Sequence, residues 1–220
     1  MRYVKMEKFD KLYEKFHGAY FAIMGVVFFF IMFIIAVVLY FGKDPTFSLF
    51  TKYISDLGAG PDSFGNLVFN IGLIGTSILM IFSHIFFARF LENRGGNSKI
   101  LLITLFAGII SSLGLLFLGI FPKYTFELQH QIASYVYFGA GVAYLLLYGL
   151  VELKIESLGN AQAYFNFFVA IFYILYLIFK ILVKAKTGFP PEVEKFTEWL
   201  MLFSTLCWFL EFGILTLKKK

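Results

Sequence analysis

Six long apolar stretches run along this chain, and they restrict the folds open to it more than any other feature. They cover residues 20–41, 66–91, 100–121, 132–153, 162–183 and 197–217. Each is close to the ~20 residues that a helix needs to cross the hydrocarbon core of a bilayer. Backbone groups in hydrocarbon must bond to one another, and these stretches lack the alternation of barrel strands. The sequence therefore predicts an all-α, polytopic membrane protein with a six-transmembrane-helix bundle.

The composition agrees with a membrane location. Hydrophobic residues make up 60% of the chain and charged residues 15%, whereas a soluble domain carries about 25% charged residues. The net charge of +5 is not arranged as a continuous basic stripe, so no nucleic-acid partner is expected and membrane lipids are the predicted partners. A single cysteine, Cys207, leaves no intrachain disulfide and no Cys/His metal motif. Nothing in the sequence indicates an oligomeric state.

The lysine and arginine residues of the short loops predict the orientation. They are most numerous before the first span, after the second and behind the sixth, and such loops normally face the cytoplasm. The lysines between the fifth and sixth spans weigh against this orientation. We expect a multi-pass protein of the cell membrane with both termini in the cytoplasm. Residues 1–19 form a cytoplasmic amphipathic segment, 20–217 the membrane domain and 218–220 a basic end.

The first nineteen residues predict a short interfacial helix. Apolar side chains recur at helical spacing while lysines occupy the other face, which is typical of a helix lying on a membrane surface. The apolar set is Tyr3, Met6, Phe9, Leu12, Tyr13 and Phe16.

Three polar residues at the predicted outer ends of the spans form the candidate site. Asp56 lies in the first outer loop, His130 before the fourth span and Glu198 at the start of the sixth. Taken singly, they are explained as a helix cap, a solvated loop histidine and a first-turn acid. Taken together, two carboxylates and an imidazole can act as acid and base or bind a divalent metal. We therefore predict these three as catalytic residues and as ligands of a divalent metal, the one cofactor that the pattern indicates.

Four residues near these three are predicted to contact a ligand. Ser55 and Trp199 adjoin the two carboxylates, Glu127 precedes the histidine by three positions, and Asn70 lies in the second span. Each has a plainer explanation, since a tryptophan can anchor a helix at the membrane interface and an asparagine can bridge two helices.

Short motifs around the candidate site resemble those of the FRAG/DRAM/SFK family of six-helix membrane proteins, in particular a prokaryotic branch classed as a domain of unknown function. The motif residues are Tyr53 to Asp56 with Gly58, Pro61 and Phe64; His130 with Ala133, Tyr137, Phe138, Gly141 and Tyr144; and Glu198 with Trp199. The resemblance implies a six-helix fold, a connection to lipid, and a shared outer site of Asp56, His130 and Glu198. Leu57 stands where eukaryotic members often have threonine, so a role of that hydroxyl does not carry over.

Three functions remain open at this stage. The first is a lipid-handling protein, in which the histidine is a general base or metal ligand and the carboxylates orient it. The second is a non-catalytic membrane organiser whose polar cluster holds the first loop onto the bundle. The third is a small-solute or proton transporter, which would need charged residues near the middle of the bilayer; Glu211 is the one candidate for that role.

Overall fold

The computed structural model describes residues 7–219, and seven α-helices account for most of this range. They are α1 (Glu7–Lys15), α2 (Ala19–Lys43), α3 (Ser63–Glu92), α4 (Ser98–Ile120), α5 (Glu127–Glu152), α6 (Asn160–Lys184) and α7 (Pro191–Lys218). A short 3-10 helix, Ile54–Gly58, lies in the first loop. The helices α2 to α7 are long and apolar enough to cross a bilayer, which confirms the predicted all-α fold with six spans.

All six long helices begin earlier than the hydropathy predicts, and two of them do so by five residues or more. Helix α5 starts at Glu127 instead of residue 132, and α7 starts at Pro191 instead of residue 197. Their first turns carry charged residues and, in α7, a proline, which look like loop by hydropathy. Acidic side chains are nevertheless favourable near the positive end of the helix dipole, and proline suits the first helical position. His130 and Glu198 consequently lie inside helices.

The six long helices form a closed ring. Each helix packs against the next one in the sequence, and α7 returns to pack against α2. We call the end of the ring that carries the first loop, residues 44–62, the cavity end, and the opposite end, where α1 lies, the α1 end. Aromatic side chains fill the α1 half of the ring, with His84 packed among Tyr144, Tyr148 and Trp208.

The neighbours α4 and α5 approach each other very closely. A Cβ atom added at Gly114 would lie 2.6 Å from the backbone nitrogen of Tyr137. The Ser111 hydroxyl donates to the Tyr137 carbonyl oxygen at 2.9 Å. Small residues therefore allow close helix packing here, as is common between membrane helices.

The short helix α1 packs on the end of α3. The Tyr13 hydroxyl donates to the Phe82 carbonyl oxygen at 2.8 Å, and Arg89 forms ion pairs with Asp10 and Glu92. These contacts confirm a helix in the predicted N-terminal segment, although Tyr3 and Met6 of its apolar face lie outside the described residues. Its location at a membrane interface stays a prediction.

Candidate functional site

A cavity of about 260 Å³ lies inside the ring at its cavity end. All six long helices and the first loop contribute to its wall. Its deeper wall is apolar, because the residues one or more turns into the helices are mostly leucine, phenylalanine and methionine: Phe69, Leu73, Leu115, Leu118, Met201 and Leu202. Polar and charged side chains surround the outer part: Tyr53, Lys123, His130, Lys180, Glu194 and Glu198. The cavity is thus polar toward its end of the ring and apolar toward the centre.

Asp56 lies behind this wall and does not line the cavity. Its Oδ1 accepts hydrogen bonds from the Lys123 ammonium and the Tyr124 hydroxyl, both at 2.8 Å, and its Oδ2 accepts one from the Tyr53 backbone N–H at 2.8 Å. The side chain is almost wholly buried. Burial, followed by the hydrogen bond to Asp56, raises the pKa of Tyr124, so this phenol stays protonated as a donor. Asp56 therefore ties the first loop to the segment between α4 and α5.

His130, in the first turn of α5, lines the cavity. Its Nδ1 lies 2.8 Å from the Phe121 carbonyl oxygen. A carbonyl can only accept, so Nδ1 carries the proton and Nε2 of the neutral ring keeps its lone pair. The imidazole is thus held in the tautomer in which Nε2 can accept a hydrogen bond or a proton.

Glu198 lines the cavity from α7, and its side chain is only 4% exposed. No hydrogen bond reaches its buried Oε2. One turn earlier on the same helix face, Glu194 accepts a hydrogen bond from the Tyr53 hydroxyl at 2.8 Å. Burial, and then this hydrogen bond, raise the pKa of Tyr53, which keeps the phenol protonated. Of the two glutamates, Glu198 is the one with a buried oxygen that lacks a partner.

Two lysines of α6 also line the cavity. The Lys180 ammonium donates to the Ser134 hydroxyl at 3.0 Å and the Tyr176 hydroxyl at 3.3 Å. Lys184 donates to the Gln131 side-chain oxygen at 3.1 Å. All these acceptors are neutral, and neither lysine belongs to any of the ion pairs found within residues 7–219. The charge of Lys123, by contrast, is compensated by Asp56.

The structure thus brings His130 and Glu198 to one cavity and sets Asp56 behind Lys123 at its edge. The three predicted site residues make no hydrogen bond to one another. In the described part of the chain, no group of three or more His, Cys, Asp or Glu side chains is arranged to hold a metal ion. The geometry suits proton transfer and the binding of charged groups, and it lends no support to the predicted divalent metal.

Of the four residues predicted to contact a ligand, two line the cavity and two do not. Ser55 and Asn70 line the cavity, and the Asn70 amide also donates to the Gly58 carbonyl oxygen at 3.0 Å. Trp199 is buried outside the cavity, where its indole N–H donates to the Lys52 carbonyl oxygen at 3.0 Å. Glu127 is exposed in the first turn of α5 and does not reach the cavity. Trp199 holds the first loop instead of anchoring a helix in lipid.

Sequence reasoning missed Lys123, Lys180 and Glu194 as wall residues, because lysines near span ends are usual topology signals and acids there are usual helix caps or first-turn residues. A signal was nevertheless present. Glu194 and Glu198 are four residues apart, as are Lys180 and Lys184, so each pair lies on one helix face. Two such pairs facing each other on neighbouring helices predict a charged wall.

A second buried polar group lies at the α1 end. The Asn166 amide donates to Glu152 at 2.6 Å and accepts the Trp208 indole N–H at 2.8 Å. Glu152 is the last residue of α5, and Glu211 lies within the last two turns of α7. These acids are close to one end of the ring, whereas a transporter site is expected near the middle of the membrane.

Comparison with known proteins gives a family but no function. Residues 22–210 match the model of a family described as a protein of unknown function, DUF998. No curated protein and no solved structure matches the chain.

Proposed function

The chain belongs to the DUF998 family of proteins of unknown function, and from this premise we propose that it is a lipid-handling membrane protein whose cavity receives a lipid head group. The observation that carries the proposal is the cavity itself, which is charged at one end and apolar toward the centre of the ring. Membrane lipids have this same polarity along their length. The resemblance of short motifs to those of the FRAG/DRAM/SFK family, which is itself a sequence-based expectation, favours a connection to lipid.

The size of the cavity limits what it can hold. Pockets for drug-sized ligands measure roughly 300–1,000 Å³, and this cavity measures about 260 Å³. It therefore suits a head group with the first part of an acyl chain, while the rest of the chain stays in the bilayer. Lys184 and Gln131, where α5 and α6 meet, lie at the accessible side of the wall and mark the entrance.

Within the cavity we assign His130 the role of hydrogen-bond acceptor or general base. Its Nε2 keeps a lone pair because Nδ1 is bonded to the Phe121 carbonyl oxygen. A hydroxyl of the head group is the natural proton donor to this nitrogen. We assign Asp56 a positioning role, since it holds Lys123 at the edge of the cavity.

The proposal also includes an orientation. An even number of spans places the start of α2 and the end of α7 on the same side of the membrane, and just after α7 the Lys219 carbonyl oxygen is contacted by Arg94. Lysines and arginines at the α1 end favour the cytoplasm. The cavity end then faces the outer leaflet of the cell membrane.

The test is to fill the cavity and measure bound lipid. The Leu115→Phe variant adds a ring to the apolar wall, whereas Leu113→Phe, on the same helix, adds one to a side chain that is 38% exposed. We expect the first variant to lose most of the lipid that the purified protein retains in native mass spectrometry, and the second to keep it. Equal retention by both variants and the unmodified protein would refute the proposal.

A second candidate function is the membrane organiser, and the bonding of Asp56 favours it. This buried carboxylate joins the first loop to the segment before α5, and both of its oxygens already accept hydrogen bonds from the protein. If the polar cluster is only structural, stripping the lipid leaves the melting temperature unchanged. Under the lipid-handling proposal, stripping lowers it, because a ligand stabilises the state that binds it.

A further inference from the structure

We infer that the head group taken into the cavity is zwitterionic, with a phosphate beside the lysines of α6 and an ammonium beside Glu198 of α7. This inference rests on the proposed function, because it names the class of lipid that the same cavity would receive. Phosphoethanolamine is the simplest head group of this kind, with the two charges joined by a two-carbon linker.

The anionic end of the ligand is indicated by Lys180. An ammonium group has three donors, and Lys180 uses two of them on the neutral hydroxyls of Ser134 and Tyr176. Its nitrogen also lies 5.3 Å from the centre of the Tyr176 ring, and it interacts with Glu194 and Glu198 without forming an ion pair with either. Lys184, one turn further on and also in the wall, has a neutral acceptor too. Two positive charges on one wall, neither of them in an ion pair found within residues 7–219, favour a ligand that brings a negative charge.

The cationic end is indicated by Glu198. Its side chain is almost completely buried, it faces the cavity, and its Oε2 has no donor. A buried carboxylate oxygen without a hydrogen bond costs free energy. A ligand that carries N–H donors and a positive charge would satisfy this oxygen.

The simplest alternative is that the two groups satisfy each other, and in this structure they do not. Lys180 and Glu198 interact electrostatically, yet they do not form an ion pair. Both line the cavity, Lys180 from α6 and Glu198 from α7. Opposite charges that face a common cavity without touching suit a ligand that lies between them and carries both signs.

The chemistry ranks the common head groups. Phosphoethanolamine offers a phosphate to Lys180 and N–H donors to Glu198. Phosphocholine carries both charges but has no N–H donor for the carboxylate. Phosphoglycerol offers hydroxyl donors but no positive charge. We expect phosphatidylethanolamine to bind most tightly, because a charge-assisted hydrogen bond is stronger than a neutral one.

The experiment measures which lipid the protein retains from an equimolar mixture of phosphatidylethanolamine, phosphatidylcholine and phosphatidylglycerol with identical acyl chains, by native mass spectrometry. We expect a preference for phosphatidylethanolamine over phosphatidylglycerol of about tenfold, which corresponds to about 1.4 kcal/mol. Glu198→Gln should abolish the preference while lipid is still retained. Lys180→Met should lower the retention of all three lipids.

Glu156→Gln and Lys154→Met, both at exposed positions near the α1 end, are the matched controls and should behave as the unmodified protein.

The outcomes separate the inference from the proposed function. Equal retention of the three lipids by the unmodified protein, with loss of all of them in Leu115→Phe, overturns the zwitterionic head group and leaves lipid handling standing. Retention that Leu115→Phe does not change overturns both. A competition with soluble phosphoethanolamine identifies the source of the head group: weak competition is expected because the apolar wall stays unfilled, and competition as strong as that of the lipid would overturn a lipid ligand.

Discussion

At the scale of single residues, the buried polar side chains of this bundle are of two kinds. Some, such as Asp56 and Asn166, have both of their polar atoms bonded by neighbouring groups. Others, such as Glu198, keep a buried oxygen without a donor. Most buried polar groups in proteins are paired. The paired residues are therefore expected to govern stability. Glu198 is expected to govern binding, because it lines the cavity, whereas Glu152, Gln162 and Glu211, which also have such atoms, do not.

Replacing Asp56 by alanine tests the first kind. The change leaves the Lys123 ammonium, the Tyr124 hydroxyl and the Tyr53 backbone N–H without their acceptor. We expect a loss of about 2–3 kcal/mol in the free energy of unfolding, since a hydrogen bond to a charged group contributes about 1.5–3 kcal/mol. The measurement is thermal or denaturant unfolding in detergent micelles.

Asp44→Ala is the control for that measurement. Asp44 also pairs with a lysine, Lys52, but at an exposed position of the same loop, where ion pairs add little. Little change in the melting temperature is expected. If the two variants lose equal stability, the proposed role of Asp56 in holding the loop is wrong.

The sequence named three polar residues at this scale but could not place them relative to one another. His130 and Glu198 line the cavity, whereas Asp56 lies behind its wall; the functional role of all three stays a prediction. Asp56 forms an ion pair with Lys123 because of the path that the chain takes between α4 and α5. No local sequence pattern specifies that path. Residues far apart in sequence can form either a shared site or a structural contact, and only their three-dimensional arrangement distinguishes the two.

At the scale of elements, the contact between α4 and α5 is the one that tolerates the least change. Gly114 and the backbone of Tyr137 are so close that even one methyl group does not fit. Backbone atoms cannot move aside as a flexible side chain can, so the helices themselves would have to separate. Since Tyr137 also lines the cavity, a shift of α5 would change the shape of the site.

The Gly114→Ala variant tests this contact. Overpacking typically costs about 1–3 kcal/mol, and we expect a destabilisation in that range together with reduced lipid retention. Gly139→Ala, on α5, is the matched control, because no atom lies within 4 Å of its added Cβ. Alanine is also the better helix former, so this control should be as stable as the unmodified protein or slightly more so. A neutral Gly114→Ala would show that α4 and α5 are less tightly packed than described.

The existence of the long helices was predictable from hydropathy, whereas their first turns were not. A span is recognised by the absence of charge, and the first turns of α5 and α7 are charged. The cavity wall is built partly from these turns. Glu194, in the first turn of α7, is one of the charged residues that give the cavity its polar end, whereas Glu127 of α5 stays outside it.

At the scale of the whole molecule, hydropathy predicts how many helices cross the membrane but not how they are arranged. The sequence does not distinguish a leucine that faces the inside of the ring from one that faces the bilayer. Leu115, for example, is buried, whereas Leu113, two residues away, is exposed. A helix that is apolar on all sides gives no signal for its inward face. The order of the helices around the ring and the packing of α7 against α2 could therefore not be predicted from the sequence.

The proposed orientation predicts a labelling pattern. In a Cys207→Ser background, which removes the one native cysteine, Thr125→Cys and Ser157→Cys place single thiols at exposed positions on opposite ends of the ring. We expect a membrane-impermeant maleimide to label Thr125→Cys in intact cells and Ser157→Cys only after permeabilisation. The reverse labelling pattern would contradict the proposed orientation and place the cavity at the inner leaflet.

The return of α7 to α2 has a consequence for the order of biosynthesis. Both cavity glutamates belong to α7, the last of the six spans, and the lysines that face them belong to α6. A ribosome that has delivered only the first five spans has produced a row of helices open to lipid along one flank, with the ammonium groups of α6 lacking their opposing acids. Under the proposed function, the cavity therefore cannot capture a lipid while the chain is growing, and it would acquire one only after translation has passed the final helix.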